Sequence, residues 1–194
     1  MHEPLKPVSD EGAGVPDPEL MARLAAGEDQ ALNQLMDRWS KRVIAFLFRM
    51  TGNRDRAVEL AQETFVKLYQ ARGRYRPGGK FSTWLFAIAA NLARNELRWR
   101  ARHPTVPLES EEAGAGPAAE RTPDEQAAAR ERIAAVHQAI LALPPDLRQA
   151  LTLFTYEGMS YAEIAKLSRC SAKAVETRIY RARRTLKDQL GHLS

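Results

Sequence analysis

The sequence contains one cysteine, four scattered histidines and no long apolar run, and these scarcities exclude several classes of protein. A lone Cys170 excludes a disulfide framework and suits a reducing cytoplasm. None of the histidines stands at metal-ligand spacing from cysteine, aspartate or glutamate, and the sequence has no nucleophile–base arrangement. No stretch approaches ~18 apolar residues, so neither a signal peptide nor a membrane span is expected. We therefore predict a cytoplasmic, non-enzymatic protein without a metal or cofactor.

Runs of β-branched residues are also few, whereas helix-forming residues dominate. Hydrophobic residues make up 44% of the 194 positions, which is enough for a packed core. The apolar residues recur at helical spacing, and this pattern predicts an all-α fold of two small four-helix modules joined by a flexible acidic linker. The predicted divisions are a disordered extension at 1–16, a first module at 17–102, the linker at 103–125 and a second module at 126–194. One stripe of the second module is expected to be buried: Ile133, Val136, Ile140 and Leu143.

Charge is distributed in blocks along the chain. Residues 72–102 carry eight bases and one acid, and residues 161–194 carry eight bases and three acids. Residues 1–33 and 103–126 each have a net charge of −5. Two basic blocks separated by an acidic stretch predict two contact regions for a polyanion such as nucleic acid.

The segment SYAEIAKLSRCSAKAVETRIYRARRTLK (160–187) predicts a helix-turn-helix. Ser160 and Glu163 fit a capping box, and Ser171 can cap a second helix after a three-residue turn. The expected buried stripe of that second helix is Val175, Ile179, Ala182 and Leu186. Its other face is polar and basic, and such a helix enters the DNA major groove. The predicted DNA-binding residues are Ser171, Lys173, Glu176, Thr177, Arg178, Tyr180, Arg181 and Arg184.

Aromatic and basic residues alternate in the first basic block, around the glycine-rich loop GRYRPGGK (73–80). Aromatic side chains stack on unpaired bases while arginines follow the nucleic-acid backbone, so this block suits a single strand. A core position and a DNA contact remain equally open for Trp84. For Phe86, the pattern favours the core or a surface for a partner.

Two segments carry a family resemblance. VELAQETFVKLYQARGRYRPGGKFSTWLFAIAANLARNELR (58–98) resembles region 2 of the extracytoplasmic-function (ECF) sigma factors of bacterial RNA polymerase. LPPDLRQALTLFTYEGMSYAEIAKLSRCSAKAVETRIYRARRTLK (143–187) resembles their region 4, and the likeness covers about residues 17–190. The resemblance implies that the chain binds core RNA polymerase at the β′ clamp helices and the β flap, recognises −35 and −10 promoter elements and promotes DNA melting. It also implies a cognate anti-sigma factor.

The resemblance assigns expected roles to individual residues. The β′ clamp helices would be bound by Glu59, Gln62, Glu63, Leu68 and Tyr69. The −10 element would be recognised and melted by Arg74, Tyr75, Lys80, Phe81, Trp84, Asn91, Arg94, Asn95 and Arg98. Lys173, Glu176, Thr177 and Arg181 would lie nearest the bases of the −35 element. Two positions depart from the family pattern, since many members carry a basic residue at the positions of Glu176 and Ala87.

Two other functions stay open at this point. A DNA-binding regulator that uses only the helix-turn-helix would bind a palindromic duplex without polymerase. A protein-interaction adaptor would use its basic faces to meet acidic proteins and would not bind DNA even with polymerase present. The aromatic residues beside the first basic block favour strand melting over both.

Overall fold

The computed structural model describes residues 14–76, 78–103 and 123–191, and within these ranges the chain is helical with no strand. The all-α prediction is therefore confirmed. The helices are α1 (Asp17–Ala25), α2 (Gln30–Thr51), α3 (Arg54–Gln70), α4 (Phe81–Arg102), α5 (Pro123–Ala142), α6 (Pro145–Thr155), α7 (Tyr161–Ser168) and α8 (Ala172–Leu190), with a 3-10 turn at Arg72–Arg74. Nearly all of the predicted extension and linker lies outside the described residues. Helix α5 begins two residues before the predicted end of the linker.

The first module, α1–α4, is built around an aromatic centre. Phe86 on α4 and Phe46 on α2 are fully buried, and their ring centroids lie 5.3 Å apart at 79°. Trp39 adds a second edge-on contact to Phe86 at 6.2 Å. Edge-to-face packing of this kind adds to the free energy gained from burying the rings. Phe86 therefore belongs to the core, one of the two positions that the sequence favoured.

The turn between α2 and α3 is set by two adjacent residues. Gly52 ends α2 in the left-handed region at φ 71°, which only glycine adopts at low cost. Asn53 then caps α3, where its side-chain oxygen accepts a hydrogen bond from the Arg56 amide at 2.8 Å. A β-carbon on Gly52 would lie 2.8 Å from a methyl group of Leu141 on α5. This turn therefore also packs against the second module.

The second module, α5–α8, corrects one sequence expectation. Ile140 and Leu143 are buried, as predicted, but Ile133 is 49% exposed and Val136 is 37% exposed. Helix α5 contacts α2 and α8, and its apolar stripe is buried only towards its C-terminal end, at Ala139 and Ile140. Ile133 and Val136 instead line an open groove beside α2.

The two modules pack against each other and share one hydrophobic cluster. Helix α2 contacts α5 and α6, and α4 contacts α6 and α7. The buried guanidinium of Arg148 on α6 donates hydrogen bonds to the carbonyl of Met50 on α2 and to those of Leu141 and Leu143 at the end of α5. One side chain thus satisfies carbonyls at the C-terminal ends of helices from both modules, which otherwise lack partners.

Candidate nucleic-acid and polymerase interfaces

The helix-turn-helix forms as the sequence predicts. The Ser160 amide donates to the Glu163 carboxylate at 2.8 Å, while the Ser160 hydroxyl accepts from the Glu163 amide at 3.3 Å. The turn places Arg169 in the left-handed region at φ 53°. The Ser171 hydroxyl then accepts from the Ala174 amide at 3.1 Å and begins α8. These contacts set the start of α7 and the start of α8 by local hydrogen bonding.

Helix α8 presents a polar outer face because its apolar stripe is turned inward. Val175, Ile179 and Ala182 are buried against α6 and α7. The exposed side chains on the opposite side are Lys173, Glu176, Thr177, Tyr180, Arg181 and Arg184. Six of the eight predicted DNA-binding residues therefore lie on one accessible surface, and we call this surface the α8 face.

The other two predicted residues of this set have structural contacts. Ser171 is the cap of α8, so its hydroxyl is already used by the backbone. Arg178 is half-buried, with its Nε 3.3 Å from the Asp146 carboxylate and a guanidinium nitrogen 3.5 Å from the Cys170 sulfur. Arg178 thereby braces α8 against the start of α6. These two residues position the α8 face.

Within α8, Glu176 changes the chemistry of its neighbour. The Lys173 Nζ lies 2.8 Å from the Glu176 carboxylate, and this ion pair raises the pKa of Lys173 through hydrogen bonding and charge. The pair leaves the first turn of the α8 face nearly neutral. Net positive charge on this face therefore comes from later positions, above all Arg181 and Arg184.

The aromatic residues of the glycine-rich loop form a packed cluster with the start of α4. The Tyr75 ring lies 5.2 Å from Trp84 and 6.1 Å from Phe81, whose ring also contacts Trp39 at 5.6 Å. Phe81 is only 3% exposed, so its ring forms the buried side of this cluster and is not accessible to a partner. Trp84 is half-buried: it packs against the core cluster and keeps part of its ring accessible. Burial raises the pKa of Tyr75, whose hydroxyl is enclosed without a hydrogen-bond partner.

Polar and basic side chains surround this aromatic cluster and continue along α4. Exposed members of the predicted −10 set are Arg74, Lys80, Asn91, Asn95 and Arg98. Arg94 is half-buried and donates to the Ala90 carbonyl at 3.3 Å and to the Asn91 side chain. Burial lowers the pKa of Arg94, and the charges of three other arginines lower it further: Arg98, Arg169 and Arg178. Two of those three belong to the second module, so basic residues of both modules lie near one another.

Helix α3 carries the predicted polymerase-binding set on two different sides. Glu59 and Gln62 are exposed and Glu63 is half-exposed, as a contact surface requires. Leu68 is 0% exposed and belongs to the core, since its face of α3 packs against α2 and α4. Tyr69 is half-buried beneath the Arg72 guanidinium, 4.1 Å from its ring centroid. The accessible part of this set is therefore the acidic and amide face.

Two residues of this region were missed from the sequence. Val66 is an exposed apolar side chain on α3, and its place outside the apolar stripe was the available signal.

Glu96 is a buried carboxylate that accepts hydrogen bonds from Arg56 and Arg100 at 2.8 Å each. Burial would raise the pKa of Glu96, but these two guanidinium groups outweigh it and lower the pKa. Glu96 thereby links α4 to α3. Its signal in the sequence was that it is the one acid among eight bases in residues 72–102.

A groove of about 500 Å³ opens between α2, α5 and the end of α6. Its apolar lining includes Ile133 and Val136. His137 stacks on Phe48 at 4.3 Å, and the Arg49 guanidinium lies 3.8 Å from the Tyr156 ring. Burial lowers the pKa of His137, and the charges of Arg49 and Arg148 act in the same direction.

Within residues 14–76, 78–103 and 123–191, no cluster of histidine, cysteine and carboxylate side chains is placed to bind a metal ion. Among the same residues, no helix combines the length and hydropathy that a membrane crossing needs.

Each of the two modules matches a known protein family. Residues 35–103 match the family model for Sigma-70 region 2, and residues 133–186 match that for Sigma-70, region 4. The RNA polymerase sigma-H factor of Pseudomonas aeruginosa is 37% identical over 180 residues, covering 90% of this chain and 93% of that protein. The ECF RNA polymerase sigma-E factor of Escherichia coli K12 is 32% identical over 180 residues, covering 90% and 94%.

Solved structures show the same similarity. The structure of CnrH in complex with the cytosolic domain of CnrY matches with a TM-score of 0.68 at 30% identity, covering 92% of this chain and 99% of that one. The sigma factor RpoE of Bartonella quintana, crystallised with the anti-sigma factor NepR, matches with a TM-score of 0.67 at 25% identity, covering 82% and 96%.

Proposed function

Because the chain belongs to the ECF sigma factors of bacterial RNA polymerase, and so is an alternative sigma factor for promoter recognition in transcription initiation, we propose that its two modules contact different partners. The α8 face reads the −35 element. The glycine-rich loop and α4 read and melt the −10 element, and α3 docks on the core enzyme. The observation that carries this proposal is the separation of accessible polar surfaces on α8, α4 and α3.

The −35 assignment rests on the geometry of α8. A helix whose apolar stripe is buried and whose other face is polar and basic can lie in the major groove. Arg181 and Arg184 supply guanidinium donors for guanine or phosphate, and Thr177 and Tyr180 supply hydroxyl groups. Glu176 can accept from the amino group of cytosine, but its ion pair with Lys173 must rearrange before it does so.

The −10 assignment rests on the loop and on α4. Tyr75 and Trp84 form the upper part of an aromatic cluster, next to a stretch that contains Gly78 and Gly79. Stacking of an unpaired base on such rings stabilises a displaced single strand. Exposed amides and basic groups along α4 can follow that strand: Asn91, Asn95 and Arg98.

The assignment of α3 to the β′ clamp helices rests on its exposed surface. Glu59, Gln62 and Glu63 present carboxylate and amide groups, and exposed Val66 adds an apolar side chain on the same helix. A carboxylate surface with an apolar residue suits a basic helical partner. The second module would then reach the β flap, as in the family that the sequence resembles.

We also propose that an anti-sigma factor controls this chain, and that the chain acts in the cytoplasm. RpoE of Bartonella quintana was solved with such a partner. The groove between α2 and α5 supports the proposal because it leaves Ile133, Val136 and Tyr156 exposed. Since region 2 and region 4 both match, the two alternatives open at the sequence level, a plain DNA-binding regulator and a protein adaptor, are no longer favoured.

Replacing Tyr75 and Trp84 together with alanine should slow open-complex formation by about tenfold, because base–aromatic stacking contributes ~1–3 kcal/mol per base. The rate can be followed with a fluorescent base analogue in the −10 element of a promoter bound by the reconstituted holoenzyme.

Two controls separate melting from folding and from assembly. Trp84→Phe keeps an aromatic ring and should retain most of the rate. A promoter with a pre-melted −10 region should restore the double variant to nearly wild-type initiation. If the double variant opens duplex promoters at the wild-type rate, the melting site lies elsewhere.

A further inference from the structure

The beginning of the α8 face carries an ion pair between two exposed side chains. The Lys173 Nζ donates to Oε2 of Glu176 at 2.8 Å, and the two side chains are 81% and 49% exposed. Both residues lie within two helical turns of the Ser171 cap. In a helix-turn-helix, the residues near the N-terminus of this helix are the ones that reach base edges. The pair therefore lies where the sequence of a duplex would be recognised.

The stability of α8 does not account for where these charges stand. Lys173 is the second residue of α8, at the end of the helix whose macrodipole disfavours a cation. A lysine that precedes its glutamate is also the less favourable order for an ion pair along a helix. An exposed pair of this kind contributes little to folding. The placement suits a contact outside the helix better than it suits the helix itself.

The carboxylate of Glu176 restricts which base this surface can accept. Phosphates repel a carboxylate, so a glutamate on a DNA-facing surface gains only where a base edge presents a donor. In the major groove the donors are the amino groups of cytosine and adenine. Adenine also presents the N7 acceptor beside its amino group, which repels a carboxylate, whereas the edge of cytosine presents the amino donor alone. Glu176 therefore favours cytosine.

The ammonium of Lys173 matches the other half of the same base pair. Guanine presents two acceptors in the major groove, O6 and N7, and its O6 lies beside the amino group of the paired cytosine. An acceptor held 2.8 Å from a donor is complementary to that edge. An ammonium has three donor hydrogens and a carboxylate has two acceptor oxygens. The ion pair can therefore shift onto the base pair without being broken.

The neighbouring threonine does not duplicate this role. The Thr177 hydroxyl donates to the Lys173 carbonyl at 2.9 Å, so its hydrogen is used inside the helix. Thr177 can still offer a base its oxygen, or its methyl group to the methyl of thymine. Lys173 is then the donor of the α8 face that lies nearest the N-terminus of the helix, and Glu176 is the carboxylate of that face.

We infer that Lys173 and Glu176 act together to recognise one cytosine–guanine pair of the −35 element. Glu176 accepts from the cytosine amino group, and Lys173 donates to O6 or N7 of the paired guanine. This inference rests on the proposed contact between the α8 face and the −35 element, and it adds the base pair that the first part of that face selects.

The test measures base preference with the reconstituted holoenzyme. The probe is a pool of duplexes in which the −35 positions of a promoter mapped by run-off transcription are randomised, and sequencing of the bound fraction gives the relative affinity for each base at each position. The variants are Glu176→Ala, Glu176→Gln and Lys173→Ala. Two exposed residues later in α8 supply charge-matched controls, Asp188→Ala for the acid and Lys187→Ala for the base.

The wild type should prefer cytosine at one position by about tenfold, which is the discrimination expected of a well-placed pair of contacts. Glu176→Ala should reduce this preference to about twofold or less, and Lys173→Ala should reduce it about threefold at the same position. Glu176→Gln should move the preference towards adenine, because an amide matches the N6 and N7 groups of that base. A merely structural role of Glu176 would not produce this change. Both controls should keep the tenfold preference.

The other outcomes are distinguishable. If Arg181→Ala changes the bound sequences or the affinity while Glu176→Ala and Glu176→Gln leave every preference unchanged, α8 contacts the −35 element but the inference is wrong. If Lys173→Ala and Glu176→Ala alter different positions, the two residues do not act on one base pair. If no substitution on the α8 face changes either preference or affinity, the −35 assignment itself fails, and this inference fails with it.

Discussion

Replacing Phe86 with alanine is expected to lower the free energy of unfolding by about 3–5 kcal/mol, which is the usual cost of removing a buried phenyl ring. Phe86 is fully buried on α4 and contacts Phe46 and Trp39 edge-on. The alanine variant loses the burial and both ring contacts, and it leaves a cavity among the neighbouring side chains. Urea unfolding followed by circular dichroism at 222 nm measures the change.

Phe86→Leu is the matched control because it keeps most of the volume and should cost clearly less. The consequence reaches the function, since the same helix carries the residues proposed to hold the −10 strand. If the free energy of unfolding of the alanine variant falls by less than about 1 kcal/mol, position 86 behaves as an exposed site. Such a result would contradict the placement of α4 in the core.

Replacing Arg181 with alanine is expected to weaken binding of the holoenzyme to the −35 element by about 10–100-fold, if its guanidinium contacts a base edge. Arg181 lies exposed on the outer face of α8, opposite the buried Val175, Ile179 and Ala182. Electrophoretic mobility shifts with a duplex that carries the −35 element measure the affinity.

Arg183→Ala is the matched control on the same helix. It removes the same charge, but the Arg183 guanidinium lies 5.3 Å from the Phe154 ring centroid and packs towards α6. Its loss should change affinity little and equally for all sequences. A phosphate contact by Arg181 would instead lower the salt slope by about one unit and leave sequence preference intact. Equal effects of the two substitutions would contradict the orientation assigned to α8.

Local features of the chain were predictable because neighbouring residues determine them. The capping box of Ser160 and Glu163, the cap at Ser171 and the apolar period of Val175 and Ile179 all act within one or two helical turns. Each was confirmed. Phe86, for which the sequence left the core and a partner surface open, lies in the core.

Burial was less predictable where a helix packs on more than one side. Leu68 and Phe81 match positions that the family resemblance assigned to partners, yet both lie in the core. Ile133 and Val136 have the right spacing for a core stripe, but α5 extends beyond its neighbours. The spacing of apolar residues predicts that one face of a helix is apolar. It does not predict which other helix or which partner protein covers that face.

The contact between the modules was not predictable at all. Arg42 and Glu157 are 115 positions apart, and Arg148 and Met50 are 98 apart. In the sequence, each of these charges looks like an ordinary solvated side chain. Only the tertiary arrangement shows that Glu163, recognised from the sequence as a capping residue, also holds Lys80.

Run-off transcription with purified core polymerase tests the central claim most directly. The template is the genomic DNA upstream of the gene that encodes this chain, with a template from an unrelated housekeeping gene as control. We expect a discrete transcript that requires both the chain and core polymerase, and we expect it to be reduced strongly by Arg181→Ala and weakly by Arg183→Ala. Failure of the chain to associate with core or to direct any start site, while it still shifts duplex DNA, would contradict the account.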